Sequence, residues 1–345
     1  MRALRFPKPY QAEIVEVPRP EIRGARQAIL KVEACGICAS DVMAYKGSHP
    51  YRKPPVITGH EIVGSVVETG AGVTQLKPGD RVAIEPHIGC GDCYYCEIGE
   101  YQQCKNKGLI GVGDWIGGFA EFIVVEESMC YRIPDHVSFE VGALLEPYNV
   151  GVHAVMRGAI QTGESVGVVG TGTIGLVTLL AVTKGEHGRI VVTDVSDKKL
   201  AVAKSLGADV ALNPSKVSVQ EELAKYEPEG LDVVLLTVPK EEAIDQALSM
   251  CKRQARVILI ATLGEPVKID THKIQQFERT ITGTAMYNRD DWLLSVEHIG
   301  TGDSSAFETL ISNRISLDHA PAEIDRLAHG LSPDNIKTII TSFGA

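Results

Sequence analysis

The stretch GESVGVVGTGTIGLVTLLAVTK, residues 163–184, decides the fold. An all-apolar run at 166–169 meets glycines at 170, 172 and 175, spaced GxGxxG, and an apolar helical run follows. Residues 165–183 carry no charge and have about the length of a membrane span. Gly167, Gly170, Gly172 and Gly175, however, fit a buried strand, a tight turn and a helix start better than a span. The next segment, GRIVVTDVSDKKLAVAKSLGAD at 188–209, repeats strand and helix, and its strand closes on Asp194. An acid about 20 positions beyond the last glycine completes a dinucleotide-binding fingerprint. Gly170 permits the turn, Gly172 lets backbone approach a pyrophosphate, and Gly175 lets the helix lie close to the strand. Thr173 and Ile174 open the helix whose N-terminus would face the phosphates. Asp194 would accept hydrogen bonds from ribose hydroxyls and repel a 2′-phosphate, which favours NAD over NADP. Lys198 and Lys199 temper that preference, since either reaches a phosphate, and Lys199 is counted with the cofactor-binding residues.

Working outward, DVVLLTV at 232–238 and RVILIA at 256–261 each follow a helical stretch. Such alternation predicts an α/β domain with a doubly wound parallel sheet. The first 150 or so residues differ, being rich in Gly, Pro and β-branched residues with turn signals such as LKPGDRV at 76–82. They are expected to form a mostly antiparallel β domain. A chain of 345 residues has room for two domains, since one takes roughly 100–200. Its net charge of −10 argues against nucleic acid as the main partner, because a phosphate backbone calls for clustered Lys and Arg. The N-terminal MRALRFPKPYQAEIVEV, broken by Pro7 and Pro9, lacks the apolar core of a signal peptide. The expectation is a cytoplasmic protein with a small-molecule partner and no membrane association.

Eight cysteines carry the next inference. Cys90, Cys93, Cys96 and Cys104 lie in CGDCYYCEIGEYQQC, a loop in which four thiolates at short spacing suit tetrahedral zinc. Four ligands leave no open position, so such an ion is structural. Unrelated free cysteines, an iron-sulfur cluster and a nucleic-acid zinc finger are the alternatives. The ferredoxin spacing closes on Cys-Pro after three residues, whereas here the closure is longer and Lys105 follows Cys104. A basic helix is missing nearby. Cys35 and Cys38 form a separate CxxC, open to reading as a redox pair or as part of a second zinc site. For the latter, ITGHEIVGSVVETGAGV offers His60 and Glu61 at the start of an apolar strand.

Taken together, CGICASD at 35–41, GHEIVGSVVETG at 59–70, KPGDRV at 77–82, the four-cysteine loop, GALLEPYNVGVHA at 142–154 and GTGTIG at 170–175 resemble one family. It is the zinc-containing medium-chain dehydrogenases, in particular their sorbitol (polyol) and threonine dehydrogenase branch. The resemblance implies a GroES-like catalytic domain at 1–152 and 286–345, with the Rossmann domain inserted at 153–285. It implies two zinc ions per chain, one catalytic and one structural, with NAD as cofactor. Cys38, His60 and Glu146 match the catalytic zinc ligands, and Glu61 matches an acid that approaches the metal directly or through water. Ser40 matches the proton-relay hydroxyl, and Asp41 a carboxylate that orients the His60 imidazole; either residue also suits a helix cap. The implied reaction is hydride transfer between a secondary alcohol and NAD, the metal acidifying the hydroxyl. Relatives assemble as dimers or tetramers, so a homo-oligomer is expected, and the apolar strand at 256–261 lies near the Rossmann edge.

Departures bear on the substrate. Met43 stands where alcohol dehydrogenases carry a relay His, and Ala44, followed by Tyr45, where the polyol branch often has Tyr. Tyr148, Tyr287, Asn288 and Arg289 fall where the family shapes its substrate wall. A polyol, a sugar-derived alcohol or a hydroxy amino acid is the expected substrate. The rivals are a primary-alcohol or formaldehyde-type dehydrogenase and a non-catalytic structural member of the fold.

Overall fold

The computed structural model describes all 345 residues except Leu263, Asp303, Gly344 and Ala345, and the side chain of Ser342. The chain divides into two compact units, Met1–Glu146 with Asn288–Ala345, and Pro147–Tyr287. The sequence alone put these junctions at 152/153 and 285/286. The helix Leu145–Gly158 runs unbroken across the first of them, so no loop or composition change marks it.

The second unit holds a six-stranded sheet ordered Val210–Leu212, Ile190–Thr193, Val166–Val169, Leu231–Leu236, Cys251–Leu259, Thr280–Gly283. Every pairing is parallel. Strands covered on both faces read as continuous apolar runs, and all four residues of Val166–Val169 and of Ile190–Thr193 are buried. In chain order this is 3-2-1-4-5-6, which reverses direction beside Val166–Val169 and opens a crevice at the carboxyl end of that strand. Gly170 sits there.

The uncharged stretch at 165–183 therefore splits into this strand and the helix Thr173–Val182. That helix is buried throughout from Gly175 to Val182, as expected of a helix apolar on all sides. Among the described residues no helix is long and apolar enough to cross a membrane. The first four residues of RVILIA end the strand Cys251–Leu259, one strand in from the edge; the edge itself is Thr280–Gly283, which carries no apolar run in the sequence.

The first unit is built on a seven-stranded sheet around the ten-residue strand Gln27–Gly36. This strand pairs antiparallel with Glu61–Thr69, Phe122–Glu126 and Lys337–Ser342. Its inward side chains, Leu30 and Val32 among them, pack with Ile62, Val66, Ile123 and Phe119 in one core. The C-terminal segment thus supplies a neighbour to the N-terminal sheet. Lys337–Ser342 in turn runs parallel to Ile311–Ser316, the two joined through the helix Ala320–Ala328.

Candidate metal and cofactor sites

Three strands converge where Gln27–Gly36 ends. Gly36 pairs with Glu61 on one side and Ile339 on the other, and Cys38 follows as the N-cap of the helix Ala39–Tyr45. A Cβ on Gly36 would lie 1.8 Å from Glu61 Oε2, so only glycine leaves the carboxylate its place. The thiol of Cys38, a ring nitrogen of His60 and a carboxylate oxygen of Glu61 all lie within 4.8 Å of one another. Asp41 binds the two donor segments together. Its Oδ2 accepts from Cys38 N at 2.9 Å, its Oδ1 accepts from Gly59 N at 3.1 Å, and Oδ1 lies 3.6 Å from His60 Nδ1. The last distance is an ion-pair separation rather than a hydrogen bond. With Nδ1 turned to Asp41, Nε2 is the nitrogen left for a metal, the arrangement by which a carboxylate orients a ligating histidine. Burial of Asp41 would raise its pKa, but the charges of His60 and Arg52 and the Cys38 N–H hold its carboxyl well below the usual range.

Two cations enter this site. Lys337, 2% exposed, donates to both oxygens of Glu61, itself 1% exposed, at 2.6 and 2.8 Å, and to Ile37 O at 3.2 Å. Burial disfavours the ammonium, but the charges of Glu61, Cys38 and Glu146 overcome it and raise its pKa. Arg52, also buried, places Nη1 3.4 Å from Ser40 Oγ. Glu146, read as the third ligand, is buried in the first turn of Leu145–Gly158 and near enough to Lys337 for its charge to count. It stands outside the three-residue group formed by Cys38, His60 and Glu61. A thiol, an imidazole and one carboxylate within this reach make a three-residue donor set suited to zinc with a position left open.

The second cluster is Cys90, Cys93, Cys96 and Cys104. Cys104 Sγ lies 3.5 Å from Cys90 Sγ, and Cys96 Sγ lies 3.6 Å from Cys93 Sγ and 3.9 Å from Cys90 Sγ. Sulfurs placed about 2.3 Å from one tetrahedral ion stand about 3.8 Å apart, so the four thiols fit a single zinc and leave no room for several irons. They are carried by a loop with the four-residue helix Tyr94–Glu97, and no basic helix accompanies it. Cys35 is free, fully buried and raised in pKa by that burial, which sets it apart from a redox pair with Cys38.

Beside this lobe lies a cavity of about 220 Å³ lined by Glu85, His87, Tyr101, Met129 and Arg289, among others. Glu85, 3% exposed, accepts from Tyr101 OH at 2.7 Å and Tyr131 OH at 2.8 Å. Burial nonetheless pushes its carboxyl up to about 7. A folded-state pKa above the unfolded value means stability that is fully present near pH 4 and lost as pH rises through about 7. The loss amounts to about 3 kcal/mol. Glu85→Gln is therefore expected to flatten the fall of the melting midpoint between about pH 5 and pH 8; melting profiles parallel to those of the wild type would contradict it. Arg289, read as a substrate-wall residue, lies over Tyr131 at this cavity, whose lining includes none of Cys38, His60 and Glu61. Tyr148 and Tyr287 are buried, and Asn288 caps the helix Arg289–Thr301.

In the second unit the three glycines differ in what they make possible. Gly170 has φ +93°, and its Cβ would meet Val238 at 2.5 Å. At Gly175 a Cβ would lie 1.8 Å from Gly170 O, while at Gly172 it would meet nothing within 4 Å. The turn is therefore closed by packing at two positions and open at the third. Thr173–Val182 begins at Gly172 with no side-chain cap, and Thr173 and Ile174 occupy its first turn, the end of a helix whose dipole favours an anion. Asp194 Oδ2 accepts from Thr171 N at 2.7 Å and Oδ1 from Ser196 N at 2.8 Å, which fixes the carboxylate beside the turn and leaves it further lone pairs. Lys199 is half-buried in the first turn of Asp197–Ser205, its N–H donated to Ser196 Oγ at 3.3 Å.

Residues 24–135 match the alcohol dehydrogenase GroES-like domain, and 173–300 match the zinc-binding dehydrogenase domain. The chain is 33% identical to the L-idonate 5-dehydrogenase of Vitis vinifera over 85% of its own length and 82% of that protein's. The zinc-containing alcohol dehydrogenases are its family. It is 32% identical to the L-threonine 3-dehydrogenase of Symbiobacterium thermophilum over 96% of each chain. A protein from Sinorhizobium meliloti 1021, solved bound to NADP, superposes with TM-score 0.91 at 30% identity over 99% of this chain and 98% of its own. These relatives place it in the polyol and threonine dehydrogenase branch, with a GroES-like unit and a Rossmann unit. Sequence reasoning passed over Lys337 and Arg52. Lys337 had no signal, being 276 positions from its partner Glu61; Arg52, only eight before His60, carried one weak cue in its nearness to GHE.

Proposed function

We propose that this member of the zinc alcohol dehydrogenases interconverts a secondary alcohol and its ketone, with NAD as the hydride acceptor. The supporting observation is the convergence of Cys38, His60 and Glu61 within 4.8 Å, ordered by Asp41 and Lys337. Bound at this cluster, zinc supplies Lewis acidity to a substrate hydroxyl, and the nicotinamide supplies the acceptor for hydride. Cys38, His60 and a carboxylate from Glu61 or Glu146 hold the ion. Lys337 competes with it for Glu61, so Glu146 is the reserve donor. Ser40, half-buried next to Asp41 in the helix after Cys38, takes the alcohol proton toward solvent; the relay goes no further through Met43, which has no group to carry it. The four-cysteine lobe holds the second, structural zinc.

The Glu146 position and the missing relay histidine count against a primary-alcohol or formaldehyde-type enzyme. The full ligand set counts against a non-catalytic relative. A cytoplasmic homo-oligomer is the matching assembly, with the open edge strand Thr280–Gly283 as its simplest junction. The test is a panel of polyols, hydroxy amino acids and simple secondary alcohols, followed at the reduced-nicotinamide absorbance. Turnover confined to primary alcohols would overturn the reading.

Asp194 carries the cofactor preference. Asp194→Ala is expected to raise KM for NAD about tenfold and to narrow the preference over NADP, since both ribose contacts and the charge are lost. An unchanged NAD to NADP ratio would transfer the choice to Lys199 or Lys198.

A further inference from the structure

The loop at 48–60 carries Arg52 into the first unit's metal site from between the helix Ala39–Tyr45 and the strand Glu61–Thr69. Arg52 is 8% exposed, and its guanidinium has five N–H donors to satisfy. Two contacts serve them, Ser40 Oγ at 3.4 Å and Ile110 O at 3.3 Å, both at the long end of hydrogen bonding. Nε is buried with no acceptor. Among the described residues no carboxylate lies within ion-pair distance of Arg52, although its charge is felt by Asp41, His60 and His49. Asp41 is committed elsewhere, to Cys38 N, Gly59 N and the His60 ring. Nor does His49 neutralise the cation: its Nδ1 accepts from Arg52 N at 2.9 Å and Tyr51 N at 3.2 Å, and burial, with the Arg52 charge, pushes its pKa down to about 4.

A buried guanidinium without an anion is costly, and a ligand that brings the anion relieves that cost. Arg52 reaches the site through its long, weak contact to Ser40, which stands two residues from Cys38. We propose that the substrate of the dehydrogenase carries an oxyanion group, carboxylate or phosphate, which Arg52 binds next to Ser40 while the alcohol carbon lies at the Cys38, His60 and Glu61 cluster. The planar fork of Arg matches either anion through two parallel N–H bonds. This deepens the proposed dehydrogenase function and rests on it.

The test compares alditols, aldonates and alditol phosphates of matched four- to six-carbon skeletons on the zinc-loaded enzyme with NAD and NADP. One anionic series is expected to exceed its neutral partners in kcat/KM by about tenfold or more, aldonates if the group is a carboxylate and alditol phosphates if it is a phosphate. Arg52→Gln is expected to cancel that advantage through KM, and Arg52→Lys to restore part of it, because a point charge replaces the fork. Calorimetric binding of the favoured anion to cofactor-free protein should weaken about tenfold in Arg52→Gln, read beside melting curves that establish folding. Neutral alditols that serve as well as their anionic partners, or a selectivity that persists in both folded variants, would overturn the proposal and leave the dehydrogenase reading standing. Failure of every alcohol, neutral or anionic, with both cofactors would remove the dehydrogenase reading itself.

Discussion

Cys38→Ser is expected to lower turnover by about a thousandfold or more while NAD binding and the melting midpoint stay near the wild-type values. Cys38 brings the one thiolate to the Cys38, His60 and Glu61 cluster. A serine hydroxyl is neutral near pH 7, so the substitution removes both a charge and a soft donor from a metal that prefers them. The fold has no reason to suffer. Cys38 is the N-cap of Ala39–Tyr45, a position that serine favours, and the bond from its backbone N–H to the Asp41 carboxylate survives the change. The proposed NAD site, at the glycine turn, belongs to the other compact unit, so cofactor binding should survive. Titration of NAD by calorimetry beside steady-state turnover checks both halves. A parallel loss of cofactor binding and activity would show that Cys38 supports the fold rather than the chemistry.

Gly175→Ala is expected to cost about 3 kcal/mol of stability and to abolish cofactor binding. The added Cβ would lie 1.8 Å from Gly170 O, a backbone atom that moves only if the turn opens. Gly172→Ala is the informative companion, because its Cβ meets nothing within 4 Å. Its stability should fall by only about 1 kcal/mol, the ordinary cost of alanine at an N-cap. KM for NAD should nonetheless rise about tenfold or more, since the open space is where a pyrophosphate approaches. Melting curves and KM values for the pair separate packing from binding. Normal NAD affinity in Gly172→Ala would move the phosphates away from this turn.

The elements easiest to read in the sequence were those that local chemistry dictates. Gly170 and Gly175 announce the turn because packing leaves no room for a side chain there, Gly172 completes the spacing, and Asp194 follows at the spacing of one helix and one strand. Cys90, Cys93, Cys96 and Cys104 lie within one short loop, so spacing alone gathers their sulfurs. The edge strand Thr280–Gly283 was harder, since four residues with exposed ends carry no apolar run. The partner of Glu61 was harder still. That partner, Lys337, arrives through strand pairing from the far end of the chain, and a lysine at residue 337 looks like surface until Lys337–Ser342 is seen beside Gly36. Glu146 was assigned by resemblance; it lies outside the tight three-residue group, but its charge is felt by Lys337, which bonds Glu61 there. Arg52 had no periodicity to betray it: burial and missing partners are properties of the folded loop.

Zinc content measured with activity tests the central claim most directly. The purified chain is expected to hold two zinc ions, and Cys38→Ser and Cys93→Ser are each expected to hold one. Alcohol-dependent NAD reduction should vanish when a chelator removes the ion at Cys38, His60 and Glu61, and return with added zinc. A metal-free chain that still oxidises alcohols or reduces ketones would contradict the account.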